Sequence, residues 1–311
     1  MLRAPASRDP IGTHQRVLAA WQAAAQRLTC LIAALALPAA ALAQASLRDD
    51  RGHSVQFERP PQRIVSLLPS LTESVCALQA CDRLVGVDRY SNWPSAVDKL
   101  PRLGGLDDAQ VERIVALRPD VVLAARSARV TERLEALGIR VIALESQSHA
   151  DVRRTLALLA TMLGTPARGD ALWADIEREL QTAAARVPAA QRGRKVYFEI
   201  ASAPYAAGAS SFIGETLSRL GLGNIVPAEL GPFPKLNPEH VVRLQPDIVM
   251  AAQREVSAMP ARPGWHALRA LAQRQHCGFD AESYEMMIRP GPRLGRSAQL
   301  LADCLARLPS P

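Results

Sequence analysis

Aromatic side chains are scarce in this chain: only 4% of its 311 residues are Phe, Trp or Tyr. A ring that falls outside an apolar run is therefore a candidate for a cleft role rather than for core filling. Other chemistry is missing outright. His53, His149, His240, His266 and His276 show neither i, i+4 nor His-x-His spacing, so direct zinc or manganese ligation is not expected. No glycine-rich phosphate loop and no Gly-x-Ser-x-Gly elbow occurs. With no base and nucleophile to assemble, neither an enzyme nor a resident cofactor is expected. Arg residues are scattered among acids instead of clustering, which speaks against a nucleic-acid footprint.

Long apolar runs are also wanting, with one exception, Leu28–Leu42, directly after Arg27. The first 43 residues hold four Arg (Arg3, Arg8, Arg16, Arg27), one acid (Asp9) and neither Lys nor Glu, and they close with Ala41-Leu42-Ala43. A basic start, a short apolar run interrupted at Pro38 and a small-x-small end read as a cleaved export signal over residues 1–43. The mature part would hold 268 residues (311 minus 43) with a net charge of +4, from 33 Lys and Arg against 29 Asp and Glu. The expected compartment is the periplasm. Four cysteines survive cleavage: Cys76, Cys81, Cys277 and Cys304. In an oxidising compartment they permit two disulfides, locally between Cys76 and Cys81 and then between Cys277 and Cys304; free buried thiols are the alternative.

What is present is an alternation of short apolar runs and amphipathic stretches. Residues 64–68, 85–87, 120–124 and 140–144 read as buried strands, with a helix over 131–137 closed by Gly138. Ser70-Leu71-Thr72-Glu73 reads as a capping box, Ser70 at N-cap and Glu73 at N3. From Ala150 to Arg186 the pattern is helical only, broken at Gly164-Thr165-Pro166; the second segment, 167–185, repeats its apolar residues on one face. Alternation then resumes: strand 195–201, helix 212–220, strands 247–252 and 277–281, helix 295–308. Residues 111–125 (VERIVALRPDVVLAA) and 238–252 (PEHVVRLQPDIVMAA) share eight of fifteen positions without a gap. A duplicated α/β unit follows. The expected architecture is α/β: two three-layer αβα lobes with parallel sheets, 44–163 and 191–311, joined by one long backbone helix over 164–190, with a ligand cleft between them.

These residues resemble a known family, the periplasmic binding proteins with a rigid helical backbone that serve importers of cobalamin, ferric siderophores and heme. The resemblance covers about residues 58–308 and is carried by RIVSLLPSLTE (63–73), VGVDRYSNWP (85–94), VERIVALRPDVVLA (111–124) and FPKLNPEHVVRLQPDIV (233–249). It is greatest to the cobalamin-binding branch. It implies a monomer that captures cobalamin or a related corrinoid, without chemistry on the ligand, for an ABC permease dimer. It implies an aromatic wall of Tyr90, Trp93, Tyr205, Phe233 and Tyr284, with Trp265 a weaker candidate. Where that branch carries further tryptophans this chain has Gly105 or Leu106 and Ala125, which implies a roomier pocket. Gly104-Gly105 and Ala206-Ala207-Gly208 are expected to allow close backbone approach to the ligand. Arg289 and Lys235 are expected near the cleft, Arg293 on the solvated surface. Glu112 and Glu239, equivalent in the two repeats, are implied to dock onto permease arginines; without the resemblance each reads as an acid favouring a helix start. Alternatives are a ferric-siderophore or heme carrier and, outside the class, a periplasmic enzyme or metallochaperone on a chelatase-like scaffold.

Overall fold

The computed structural model describes residues 45–201 and 204–309; the expected export signal at 1–43 lies outside the described residues. The chain first makes an antiparallel hairpin, β1 (Ala45–Arg48) with β2 (Ser54–Phe57), which no apolar pattern announces. There follow β3 (Ile64–Ser66), α1 (Pro69–Ala77), β4 (Leu84–Val87), α2 (Val111–Ala116), β5 (Val121–Ala125), α3 (Thr131–Ala136) and β6 (Val141–Leu144). These strands form a parallel sheet in the order β4-β3-β5-β6. β3 and β6 are buried along their whole length and β5 to its last residue. A parallel sheet is covered on both faces, which is why its strands read as continuous apolar runs instead of alternating ones.

Two helices follow, α4 (His149–Met162) and α5 (Pro166–Arg186). The second half then runs β7 (Lys195–Ala201), β8 (Tyr205–Ala206), α6 (Phe212–Arg219), β9 (Gly223–Asn224), α7 (Pro238–Leu244), β10 (Ile248–Ala252), α8 (Gln253–Ala258), α9 (Arg269–Ala272), β11 (His276–Phe279), α10 (Ala281–Met287) and α11 (Leu294–Arg307). Its sheet has the order β11-β10-β7-β8, with β9 also beside β7. This sheet is not purely parallel as expected: the short β8 pairs antiparallel with β7 because the chain turns straight back.

The duplicated segments keep their backbone in detail. α2–β5 and α7–β10 have the same order, and β5 and β10 share one burial pattern, four buried residues and a half-buried last one. Arg118 and Gln245, equivalent positions before the repeated Pro-Asp, both adopt positive φ, 45° and 44°. The repeated aspartate explains its own retention. Asp120 Oδ2 accepts the backbone N–H groups of Gln62 (2.7 Å) and Arg63 (2.9 Å), just before β3. Asp247 Oδ2 accepts that of Lys195 (2.8 Å), the first residue of β7. Each carboxylate thus ties its own strand to the neighbouring one at the point where the two enter the sheet.

α5 has 21 residues, about 32 Å at 1.5 Å per residue. It is not a lone strut. Ile176, Leu180 and Ala183 are buried in the core of the second half with Phe198, Leu217, Met250 and Leu301, while Leu172 touches both that core and the one beneath β3 and β5. The crossing with α11 is close: a Cβ on Gly295 would lie 2.4 Å from Cβ of Glu179. The expected Ser70–Glu73 capping box does not form. α1 starts earlier, at Pro69, with Leu68 as N-cap and no side-chain cap; a true capping box occurs instead at Ser148–Asp151, opening α4. Cys76 lies 2.11 Å (Sγ to Sγ) from Cys81, and Cys277 lies 2.00 Å from Cys304.

Candidate functional site

All four strands of the first sheet end at one opening. Leu68 to Leu71 follow β3, Arg89, Tyr90 and Asn92 follow β4, Ala125 to Ser127 end and follow β5, and Leu144 to Gln147 end and follow β6. The carboxyl ends of parallel strands are where an open α/β sheet leaves a crevice. The facing wall comes from the second half: Phe233, Glu285, Ile288, Arg289 and Pro290. Together they enclose a cleft of about 680 Å³. Its apolar lining is Leu68, Pro69, Leu71, Leu144, Phe233, Ile288 and Pro290; Arg89, Arg126, Glu145 and Glu285 add charge. Arg126 and Glu145 face each other at 3.4 Å, both well exposed, so either is available to a ligand at little cost.

Two of the five aromatics singled out in the sequence meet here. Tyr90 is 61% exposed, an unusual state for so large a ring. Its loop is pinned from below: the buried Asp88 accepts the Tyr90 N–H (2.7 Å) and the Ser91 hydroxyl, and the Ser91 oxygen lies 2.8 Å from Thr72 Oγ1. Burial pushes the Asp88 carboxyl above its usual value, and the Ser91 hydrogen bond opposes that shift. Gly105 makes room for Tyr90, since a Cβ there would lie 3.2 Å from the ring. The close approach is thus to Tyr90 itself. Phe233 stands on the opposite wall, braced edge-on by Phe212 with centroids 5.8 Å apart.

The other three lie elsewhere. Tyr284 stacks on Phe198 (6.4 Å between centroids) and its hydroxyl donates to the Glu199 carbonyl at 2.9 Å. Burial and then the Glu199 charge push the phenol of this half-buried residue well up. Trp93 lines an adjoining hollow with Glu282 and Arg293, one that shares Asn92, Glu285 and Arg289 with the cleft, and the Arg293 guanidinium sits 4.6 Å from its ring centroid. Tyr205 is on β8 beside Lys235, and neither lines the cleft. Trp265 is fully buried. Ala206 and Ala207 are buried too, and Gly208 permits a backbone crossing with Gly231, whose oxygen would lie 2.3 Å from an added Cβ, rather than an approach to ligand.

Arg293 is not the solvated residue that was expected. Its Nε and Nη2 donate to Glu73 at 2.8 and 2.6 Å, and Arg289 Nη1 donates to the same carboxylate at 2.9 Å. Glu73 is 1% exposed. No local pattern could reveal this pair of contacts, made across 216 and 220 residues; the capping-box motif masked it. Glu112 and Glu239 are both exposed, each in the first turn of its helix, Glu112 with Arg133 at 2.8 Å and Glu239 capped by Asn237. Among the described residues no group of three or more His, Cys, Asp or Glu could hold a metal ion, and no helix is long and apolar enough to cross a membrane.

Two α/β halves around a cleft at strand ends, with a long helix packed along them, is an arrangement found in known proteins. Residues 64–282 match the family model described as periplasmic binding protein. The chain belongs to that family. This binding protein is 27% identical to an uncharacterized ABC transporter substrate-binding lipoprotein of Bacillus subtilis, over 84% of this chain and 85% of that one. It is 26% identical to the vitamin B12-binding protein of Pectobacterium atrosepticum, over 80% and 90%. Among solved structures, the apo periplasmic heme-binding protein RhuT of Roseiflexus sp. RS-1 superposes with a TM-score of 0.67 at 25% identity, covering 79% of this chain and 98% of that one. These relatives are named as binding proteins, one of them for an ABC transporter, and the binding protein described here shares the fold of the solved one, α/β with parallel strands and a long helix.

Proposed function

We propose that this chain is exported to the periplasm, captures a metal chelate in the cleft and hands it unchanged to an ABC import permease. The ligand is proposed to be a corrinoid, with cobalamin as its first member. One observation carries the reading: a cleft of about 680 Å³ at the strand ends, with Tyr90 on one wall and Phe233 on the other. Two broad rings give a flat ligand buried area at small cost in side-chain entropy. The name of the Pectobacterium relative supports the choice. A heme carrier is the second reading, favoured by the exposed phenol of Tyr90, a group that can serve as an axial ligand to heme iron, and by the cleft arginines, which suit carboxylates. Calorimetric titration of the mature protein with cyanocobalamin, hemin and a ferric siderophore separates these readings. Corrinoid binding in the micromolar range or tighter is expected; its absence overturns the first.

For delivery, Glu112 and Glu239 are proposed as the docking pair. They occupy equivalent places in the two repeats and both are exposed, which suits a partner with two-fold symmetry. Reversing both charges is expected to abolish uptake while ligand affinity stays within two-fold; unchanged uptake would sink the docking role.

A further inference from the structure

We propose that Arg289 is a positioning residue: through the buried carboxylate of Glu73 it holds the two halves together at one end of the cleft and fixes the Tyr90 wall. Four of its donor contacts converge from both sides. Nη1 donates to Glu73 Oε1 (2.9 Å) and to Asn92 Oδ1 (2.8 Å); Nη2 donates to the Tyr90 carbonyl (3.1 Å) and to Glu285 Oε2 (2.8 Å). Glu73, Tyr90 and Asn92 belong to the first half, Glu285 and Arg289 to the second. Asn92 closes the ring by donating to Glu285 at 2.9 Å. The Arg289 side chain is 10% exposed and that of Glu73 2%, so solvent screens these contacts weakly.

Glu73 is the keystone because a buried carboxylate must keep its partners. Arg293 grips it with two donors and Arg289 with one, so the carboxylate keeps an arginine partner if Arg289 is shortened. What would then be lost is the fork on Tyr90 and Asn92, which only a planar guanidinium can supply. The segment between the two arginines lies close to α1: a Cβ on Gly291 would be 3.5 Å from the Ser70 carbonyl oxygen, and Ser70 itself lines the cleft. Tyr90 is thus held from two directions, Asp88 within its own half and Arg289 from the other. Whatever binds against Tyr90 also senses how the halves are joined. This consequence for ligand rests on the proposed function of the cleft; the positioning itself does not.

The experiment uses the mature protein and reads amide hydrogen exchange without ligand, then affinity for cyanocobalamin and hemin. Arg289→Lys is expected to speed exchange at Arg89 to Ser91 about ten-fold with β3 and β5 amides unchanged, and to weaken binding of whichever chelate the wild type takes about ten-fold. Glu73→Gln, nearly isosteric, is the second variant and should loosen the same amides should Arg289→Lys fail to fold. Arg293→Lys is expected to leave exchange at Arg89 to Ser91 unchanged. Unaltered exchange in the first two variants, or equal acceleration in all three, overturns the proposal. A wild type that binds neither chelate would defeat the reading of the cleft, whereas the exchange results would still decide the role of Arg289.

Discussion

After β5 the chain leaves its sheet as a loop, and Ala125, Arg126 and Ser127 reach the cleft; after the equivalent β10, α8 begins at once at Gln253 and closes over the strand ends. The first half leaves the carboxyl ends of its strands open, and the second half fills the same place with a buried polar network. Glu199, at the end of β7, is 1% exposed and accepts Arg262 through both oxygens (2.7 and 2.9 Å) and the Tyr197 hydroxyl at 2.8 Å. Arg262 goes on to Glu255 of α8 at 3.0 Å. Burial, and then the adjoining carboxylate, push the Tyr197 phenol far above its ordinary range, so it keeps the proton it donates to Glu199. In a duplicated fold one half can thus open its strand ends to the cleft while the other fills its own with a brace and faces the cleft through Phe233 and the segment after β11.

The sharpest way to break the comparison is to remove the brace. Arg262→Met leaves the buried Glu199 without its arginine, and urea unfolding is expected to show a loss of about 3–5 kcal/mol; combining it with Glu199→Leu should restore most of that. Truncating the open half at Tyr90→Ala is expected to weaken chelate binding about 30-fold, about 2 kcal/mol, with stability nearly unchanged, whereas Tyr205→Ala should alter binding less than two-fold by calorimetry. The two repeated aspartates sharpen the comparison further. Asp120 accepts two backbone N–H groups and Asp247 one, so alanine should cost about 2 kcal/mol at the first and about 1 kcal/mol at the second, measured by thermal unfolding.

The smallest effect is pH dependence where the halves meet. The ring of His149, opening α4, lies with Nε2 3.0 Å from the Phe212 carbonyl and 2.9 Å from Thr216 Oγ1, both on α6. Burial holds its pKa below the usual value against the pull of Glu215 and Glu177, with Arg219 adding to the depression. The unfolded state therefore binds the proton first as pH falls through about 6.5, and stability drops from there at up to about 1.4 kcal/mol per pH unit. His276, also depressed by burial and by Arg274, contributes in the same direction. Denaturant midpoints between pH 7.5 and 5.5 should show the decline, and His149→Gln should flatten it.

Much of this molecule is visible in the chain before it folds. The strands expected at 64–68, 85–87, 120–124 and 140–144 appear within two residues of their bounds, and 195–201 appears as read, because buried parallel strands leave apolar runs that helices of this length do not. The repeat is legible because the same Pro-Asp turn solves the same strand-entry problem twice. Hairpin β1–β2 was not legible: Ser54–Phe57 buries only its last residue. Of the aromatic wall, Tyr90 and Phe233 reach the cleft, while Tyr284 and Trp265 fold inward; a ring after a strand looks the same in sequence whichever way the backbone turns it.

Features that depend on neighbours along the chain were written in its residues: two α/β units, their connecting helices and the family. Tertiary structure alone decided which strand ends stay open, which rings meet across the cleft, and that Glu73 binds two arginines more than 200 residues away. Those contacts depend on which surfaces the packed helices bring together, and local periodicity contains no term for that.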